Sequence, residues 1–123
     1  PLMVNLDYLT GMLKKQGIET FLETSGSHPL SGSWDWICLS PKQNAPPLDA
    51  IFPEAHELKV IICSEEDLQW ALENGSKVGD TCKLYLQPEW SRREQILPTI
   101  IEFSKQNPRW MISLQSHKYM HIP

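Results

Sequence analysis

The sequence has no basic arm or stripe and no run of about 18 apolar residues, and each absence removes a class of function. Eleven Lys and Arg against fifteen Asp and Glu leave a formal net charge of −4. The cations are dispersed, so a phosphate backbone finds no matching surface and nucleic acid is not an expected partner. Without a long apolar run no membrane helix is expected, and no basic start with a small-residue cleavage site marks a signal peptide. The expectation is a soluble, cytoplasmic protein. Cysteine is also scarce: Cys38, Cys63 and Cys82 stand in "WICLS", "VIICS" and "TCKLY" with no CxxC pair, which reads as reduced thiols buried in strands. No H-E-x-x-H or other zinc spacing and no G-x-S-x-G elbow occurs, so no metal ligands and no activated serine are assigned. His117 and His121, four apart, would suit a metal only on a helix.

What is present is material for one core. At 123 residues and 41% hydrophobic, the chain reads as a single domain, 1–123. Asn5 is placed to cap a helix, "NLDYLTGMLKKQ", with Leu6, Leu9 and Leu13 as its inward stripe and Gly17 as its stop. Strands are expected at "IETFLE" and "WDWICLS", separated by a Gly/Ser/Pro loop. "PKQNAPPLDAIFPEAH" carries four prolines and reads as an irregular crossover with at most one helical turn near Leu48 to Phe52. "ELKVIIC" reads as a strand buried on both faces. "SEEDLQWALENG" reads as a helix with Ser64 and Asp67 in capping-box spacing and Gly75 as terminator. "CKLYLQP" is the next strand. "SRREQILPTIIEFSKQ" is a helix with Ile96, Leu97, Ile100 and Ile101 inward and an irregularity at Pro98, and "RWMISLQ" is the last strand. The alternation predicts an α/β fold, a mostly parallel sheet with outer helices, open or curved into a partial (β/α) barrel.

Parallel sheets carry their ligand chemistry at the carboxyl ends of the strands. Four of the five expected strands end in compact polar clusters: "ETSG", "SPK", "LQP" and "LQSHK". A carboxylate, an ammonium, amides and an imidazole on such a rim suit a polar, multiply charged ligand. Taken singly, Thr24, Ser25 and Gly26 read equally as turn chemistry, and Pro41 and Pro88 as strand terminators. His28 and His56 lie in proline-bearing loops and read as surface or structural histidines. Trp34, Trp36, Trp70 and Trp110 read as packing, and Trp90 as a stacking surface or lid.

The succession "LETSGSHP", "WICLSPK", "LYLQPEW" and "WMISLQSHKYMHIP" resembles the 7-carboxy-7-deazaguanine synthase family of radical S-adenosylmethionine enzymes, from Pro1 to Pro123. The resemblance implies the carboxyl-terminal half of a radical S-adenosylmethionine barrel, with the 4Fe-4S loop and the Mg2+ ligands upstream. The cysteine spacings of 25 and 19 residues do not resemble a cluster loop. The family reaction contracts 6-carboxy-5,6,7,8-tetrahydropterin to 7-carboxy-7-deazaguanine with loss of ammonia. By position, Glu23 is similar to the carboxylate on the cofactor ribose, Ser40 and Gln87 to further S-adenosylmethionine contacts, and Lys42 to a partner of its carboxylate. His117 and the carboxylate of Pro123 are similar to pterin contacts.

Two rivals are weighed against this reading. A glycyl-radical activating enzyme would share the cofactor contacts, but "SHKYMHIP" speaks against it. A non-catalytic binding module fits the chain taken alone, which is expected to be inactive. A half-barrel also leaves an open sheet edge, which predicts self-association, most simply as a homodimer.

Overall fold

The computed structural model describes residues 6–114. The Asn5 cap, Gln115 at the end of the last expected strand, and the assignments to His117, His121 and Pro123 therefore lie outside the described residues. Within them run α1 (Asp7–Lys15), β1 (Phe21–Thr24), β2 (Trp36–Leu39), a 3-10 helix (Asp49–Glu54), β3 (Glu57–Ile62), α2 (Glu66–Gly75), β4 (Lys83–Pro88), a 3-10 turn (Trp90–Arg92), α3 (Arg93–Gln106) and β5 (Trp110–Ile112). The order is the one expected from sequence. The strands are hydrogen-bonded in chain order, β1-β2-β3-β4-β5, and β1/β2, β2/β3 and β4/β5 pair in parallel.

The chain forms two compact units. Among the described residues, the first comprises 6–58 together with Lys77–Cys82, and the second comprises Lys59–Ser76 and 83–114. In the first, Leu22, Ile37, Leu39, Ile51, Phe52 and Leu58 are buried, and the alternation within β1 and β2 puts every second residue inward. Helix α1 departs from expectation. Leu9 is 51% exposed, whereas Thr10 is completely buried. Polar bonds to the 31–33 segment dock this helix: Leu6 N–H donates to Ser31 Oγ (3.0 Å), Gly32 N–H to Asp7 Oδ1 (2.6 Å), and Ser33 N–H to Thr10 Oγ1 (2.8 Å). The loop, rather than a leucine seam, covers its inner face.

In the second unit Val60, Ile62, Leu68, Leu84, Leu86, Ile96, Ile100 and Trp110 form the core. Strand β3 is not buried on both faces. Leu58, Val60 and Ile62 are inward while Ile61 is 41% exposed, the half-buried alternation rather than the fully buried one. Ile101 of α3 likewise points outward, leaving Ile96 and Ile100 as its buried pair. Pro98 lies within α3, where it withholds one backbone N–H from the helix ladder. Asp67 accepts the N–H groups of Cys63 (2.7 Å) and Ser64 (3.2 Å) and so fixes the turn that leads into α2; the Ser64 side chain does not cap the helix, whose N-cap is Glu65 with no side-chain cap bond. Gly75 is the last residue of that helix, and its role is room: a Cβ there would lie 2.7 Å from Cζ2 of Trp110.

Candidate functional site

The carboxyl edge of the first unit is built by a tight turn. After Glu23, the Thr24 hydroxyl accepts the Gly26 N–H (3.0 Å), and the Gly26 carbonyl accepts the Leu48 N–H (2.8 Å). Gly26 has φ +75°, and a Cβ on it would meet Leu39 Cδ1 at 2.7 Å and Pro47 Cβ at 3.0 Å, so both backbone and space require glycine. Ser40 follows β2 directly, and its N–H donates to the Thr24 carbonyl at 2.7 Å. This bond carries the pairing of β1 and β2 one step past the strands and places the Glu23 and Ser40 segments side by side. Glu23 stands at the register position of Cys38 and is exposed. Lys42 sits past the buried Pro41 in a turn closed by Ala45 N–H on the Lys42 carbonyl (3.2 Å). Thus Glu23, Ser40 and Lys42 gather at one edge.

Beneath that edge, sequence reading missed a cluster. Glu57 accepts the Trp36 indole N–H (2.9 Å) and the Cys38 thiol (3.4 Å) on its two carboxylate oxygens, so Trp36 and Cys38 are hydrogen-bonded groups rather than plain packing. Only the β2/β3 register, Cys38 opposite Glu57, brings these residues together, and no local motif could have shown it. Cys63 and Cys82 also depart from the expected pattern: both lie outside strands, Cys63 exposed and Cys82 buried. Burial, then the nearby Asp67 and Glu89 carboxylates, pushes the Cys63 thiol up from its ordinary value.

The carboxyl edge of the second unit holds Gln87, the fifth residue of β4. The Glu89 N–H donates to the Ile62 carbonyl (2.9 Å) and the Ser113 N–H to the Leu86 carbonyl (2.8 Å), tying the strand ends together. Gln87 is 4% exposed, and its side-chain amide has no hydrogen-bond partner among the described residues. The other buried polar side chains are satisfied: Thr10, Thr20, Thr24 and Asn74 each make side-chain hydrogen bonds. A buried amide with neither donor nor acceptor used is rare and calls for an explanation. Trp90, beyond it, is clamped by Arg93, whose guanidinium lies 3.9 Å from the ring centroid and donates to the Trp90 carbonyl at 2.7 Å.

No group of three or more His, Cys, Asp or Glu is gathered as metal ligands among the described residues, and no helix among them is long and apolar enough to cross a membrane. His28 is exposed, and His56 is structural, its Nδ1 accepting the Ile37 N–H (2.9 Å).

Fold and edges together define an α/β protein of parallel strands with polar groups collected at their carboxyl ends. No protein-family model matches the chain. It is homologous along its length to proteins named 7-carboxy-7-deazaguanine synthase. It is 45% identical over 123 residues to that of Flavobacterium psychrophilum, covering 100% of this chain and 59% of the relative. It is 45% identical over 122 residues to that of Synechocystis, covering 99% and 58%. The crystal structure of QueE from Escherichia coli superposes with a TM-score of 0.82 at 27% identity, over 94% of this chain and 53% of that one. The chain thus spans a little over half the length of the relatives it matches.

Proposed function

We propose that this chain is the carboxyl-terminal part of a radical S-adenosylmethionine carbon-nitrogen lyase that converts 6-carboxy-5,6,7,8-tetrahydropterin to 7-carboxy-7-deazaguanine with loss of ammonia, in queuosine and deazapurine biosynthesis. The observation that carries the reading is the buried amide of Gln87 at a strand's carboxyl end, without a side-chain partner among the described residues, in a chain homologous throughout to proteins of that name. A folded chain keeps an unsatisfied buried amide where a ligand completes its bonds.

The residues fit S-adenosylmethionine. Glu23 presents an exposed carboxylate to accept hydrogen bonds from ribose hydroxyls, Ser40 offers a hydroxyl, Lys42 an ammonium for the methionine carboxylate, and Gln87 an amide able to donate and accept at once. When bound, the cofactor supplies the hydrogen-abstracting radical chemistry, and each of these side chains is assigned a contact to it. His117 and Pro123 are assigned to the pterin. The residues do not fit a 4Fe-4S cluster: Cys38 donates to Glu57, Cys63 is exposed and Cys82 buried. The cluster and Mg2+ are therefore assigned to the remainder of the parent protein, and the chain alone is inactive. The reading includes a cytoplasmic homodimer, and the exposed Phe21, 65% accessible, suits such an association.

The test is the complete gene product under anaerobic conditions, reconstituted with iron and sulfide and given reductant, Mg2+, S-adenosylmethionine and 6-carboxytetrahydropterin, with products read by mass spectrometry. Formation of 7-carboxy-7-deazaguanine, lost in Glu23→Gln, supports the assignment. 5′-Deoxyadenosine without the deazaguanine overturns the substrate, and neither product moves the binding-module reading to first place.

A further inference from the structure

The first unit contains a cavity of about 680 Å³ that shares none of Glu23, Ser40 or Lys42. Its apolar walls include Pro29, Leu30, Trp34, Leu48 and Ile51, and its polar groups are Ser33, Glu54 and His56. That volume and that mix, mostly apolar walls with a few polar groups, are those of a small-molecule site.

The chemistry of its polar pair is restrictive. His56 Nδ1 accepts the Ile37 N–H at 2.9 Å, so the neutral ring carries its proton on Nε2 and presents a donor only. Stacking on Trp36, with ring centroids 5.2 Å apart and planes 21° apart, fixes the imidazole plane. Neither Nε2 nor the Glu54 carboxylate has a hydrogen-bond partner among the described residues, and Glu54 presents acceptors only. The Trp34 indole is held in place by its N–H on the Ser31 carbonyl (2.7 Å).

We propose that this cavity binds a small heterocycle through a lactam edge, an N–H beside a C=O, with Glu54 taking the N–H, His56 Nε2–H donating to the carbonyl, and Trp34 lying against the ring. The alternatives match less well. A carboxylate ligand would meet Glu54 as a like charge, an ammonium would leave His56 without an acceptor, and a purely apolar guest would bury both groups unpaired. A flat ring gains from contact with an indole face. This site stands apart from the proposed cofactor contacts, and its failure would leave that reading untouched.

The experiment titrates the 15N-labelled chain with hypoxanthine, which has a lactam edge, and with 1-methylhypoxanthine, in which the N–H is blocked, while following the Trp34 indole signal assigned from Trp34→Phe. Hypoxanthine is expected to shift that signal saturably. The methylated base and the Glu54→Ala chain should each bind at least tenfold more weakly; Glu54 is exposed, so its removal leaves the fold in place. No saturable shift up to the solubility limit of hypoxanthine overturns the proposal, as does equal binding of the two bases or unchanged binding by Glu54→Ala.

Discussion

Replacing Gln87 by Met separates function from stability in a way that few substitutions can. Met has nearly the length of Gln and no group that needs a hydrogen bond, and swaps of similar volume in a core cost less than about 1.5 kcal/mol. Against that stands the cost of a buried amide without partners, about 1–3 kcal/mol, which the substitution removes. At 4% exposure and with no partner among the described residues, Gln87 should sit near the upper half of that range, so Gln87→Met is expected to stabilise the chain by about 1 kcal/mol. With a urea m-value of about 1–2 kcal/mol/M for a domain of this size, the unfolding midpoint should rise by roughly 0.5–1 M. In the complete protein the same variant should lose one hydrogen bond to S-adenosylmethionine, and about 1.4 kcal/mol is a tenfold rise in Kd, measurable by equilibrium dialysis. A midpoint that falls by a comparable amount would show that the amide is satisfied by the protein itself. A higher midpoint with unchanged cofactor affinity would refute the cofactor role.

Gly26 and Gly17 form a matched pair, both at φ +75°, but a Cβ at Gly26 meets Leu39 and Pro47 while one at Gly17 meets nothing within 4 Å. Gly17→Ala should cost the left-handed strain alone, about 1–2 kcal/mol, and Gly26→Ala about 1–3 kcal/mol more from overpacking; equal unfolding midpoints would sink the steric argument. Asp35 has its carboxyl held below the usual range, first by the Thr20 backbone N–H at 2.7 Å and then by the Lys14 ammonium at 3.5 Å. Its contribution is therefore present above the unfolded pKa, about 4, and lost as pH falls through the lower folded value. Asp35→Asn should flatten the acid limb of a stability-pH profile, and an unchanged slope would contradict this. The Cys63 thiol, raised first by burial and then by the Asp67 and Glu89 carboxylates, should be alkylated by iodoacetamide more slowly at pH 8 than an unstructured cysteine peptide; an equal rate would show that its surroundings do not raise it.

The short-range features of this protein were legible in its residue order. Apolar segments of strand and helix length, separated by Gly, Pro and capping residues, specified the order of elements and the parallel α/β class, because periodicity and turn chemistry are local properties. The same order placed Glu23, Ser40, Lys42 and Gln87 at or just beyond strand ends, where a parallel sheet collects its ligands. Burial was not legible, since it depends on which distant segment arrives as a neighbour. "ELKVIIC" is apolar enough for two covered faces, yet Ile61 is exposed; "NLDYLTGMLKKQ" offers a leucine stripe, yet the 31–33 loop docks Thr10 instead. Likewise Gly75 ends its helix as a terminator would, but only the packing of Trp110 makes glycine necessary there. The residue order by itself determined which polar side chains would stand at the strand ends; the tertiary structure alone decided that Gln87 is buried without a side-chain partner among the described residues and that His56, with Nδ1 taken by the Ile37 N–H, lines a cavity, because both are consequences of contacts between strands and loops far apart in the chain.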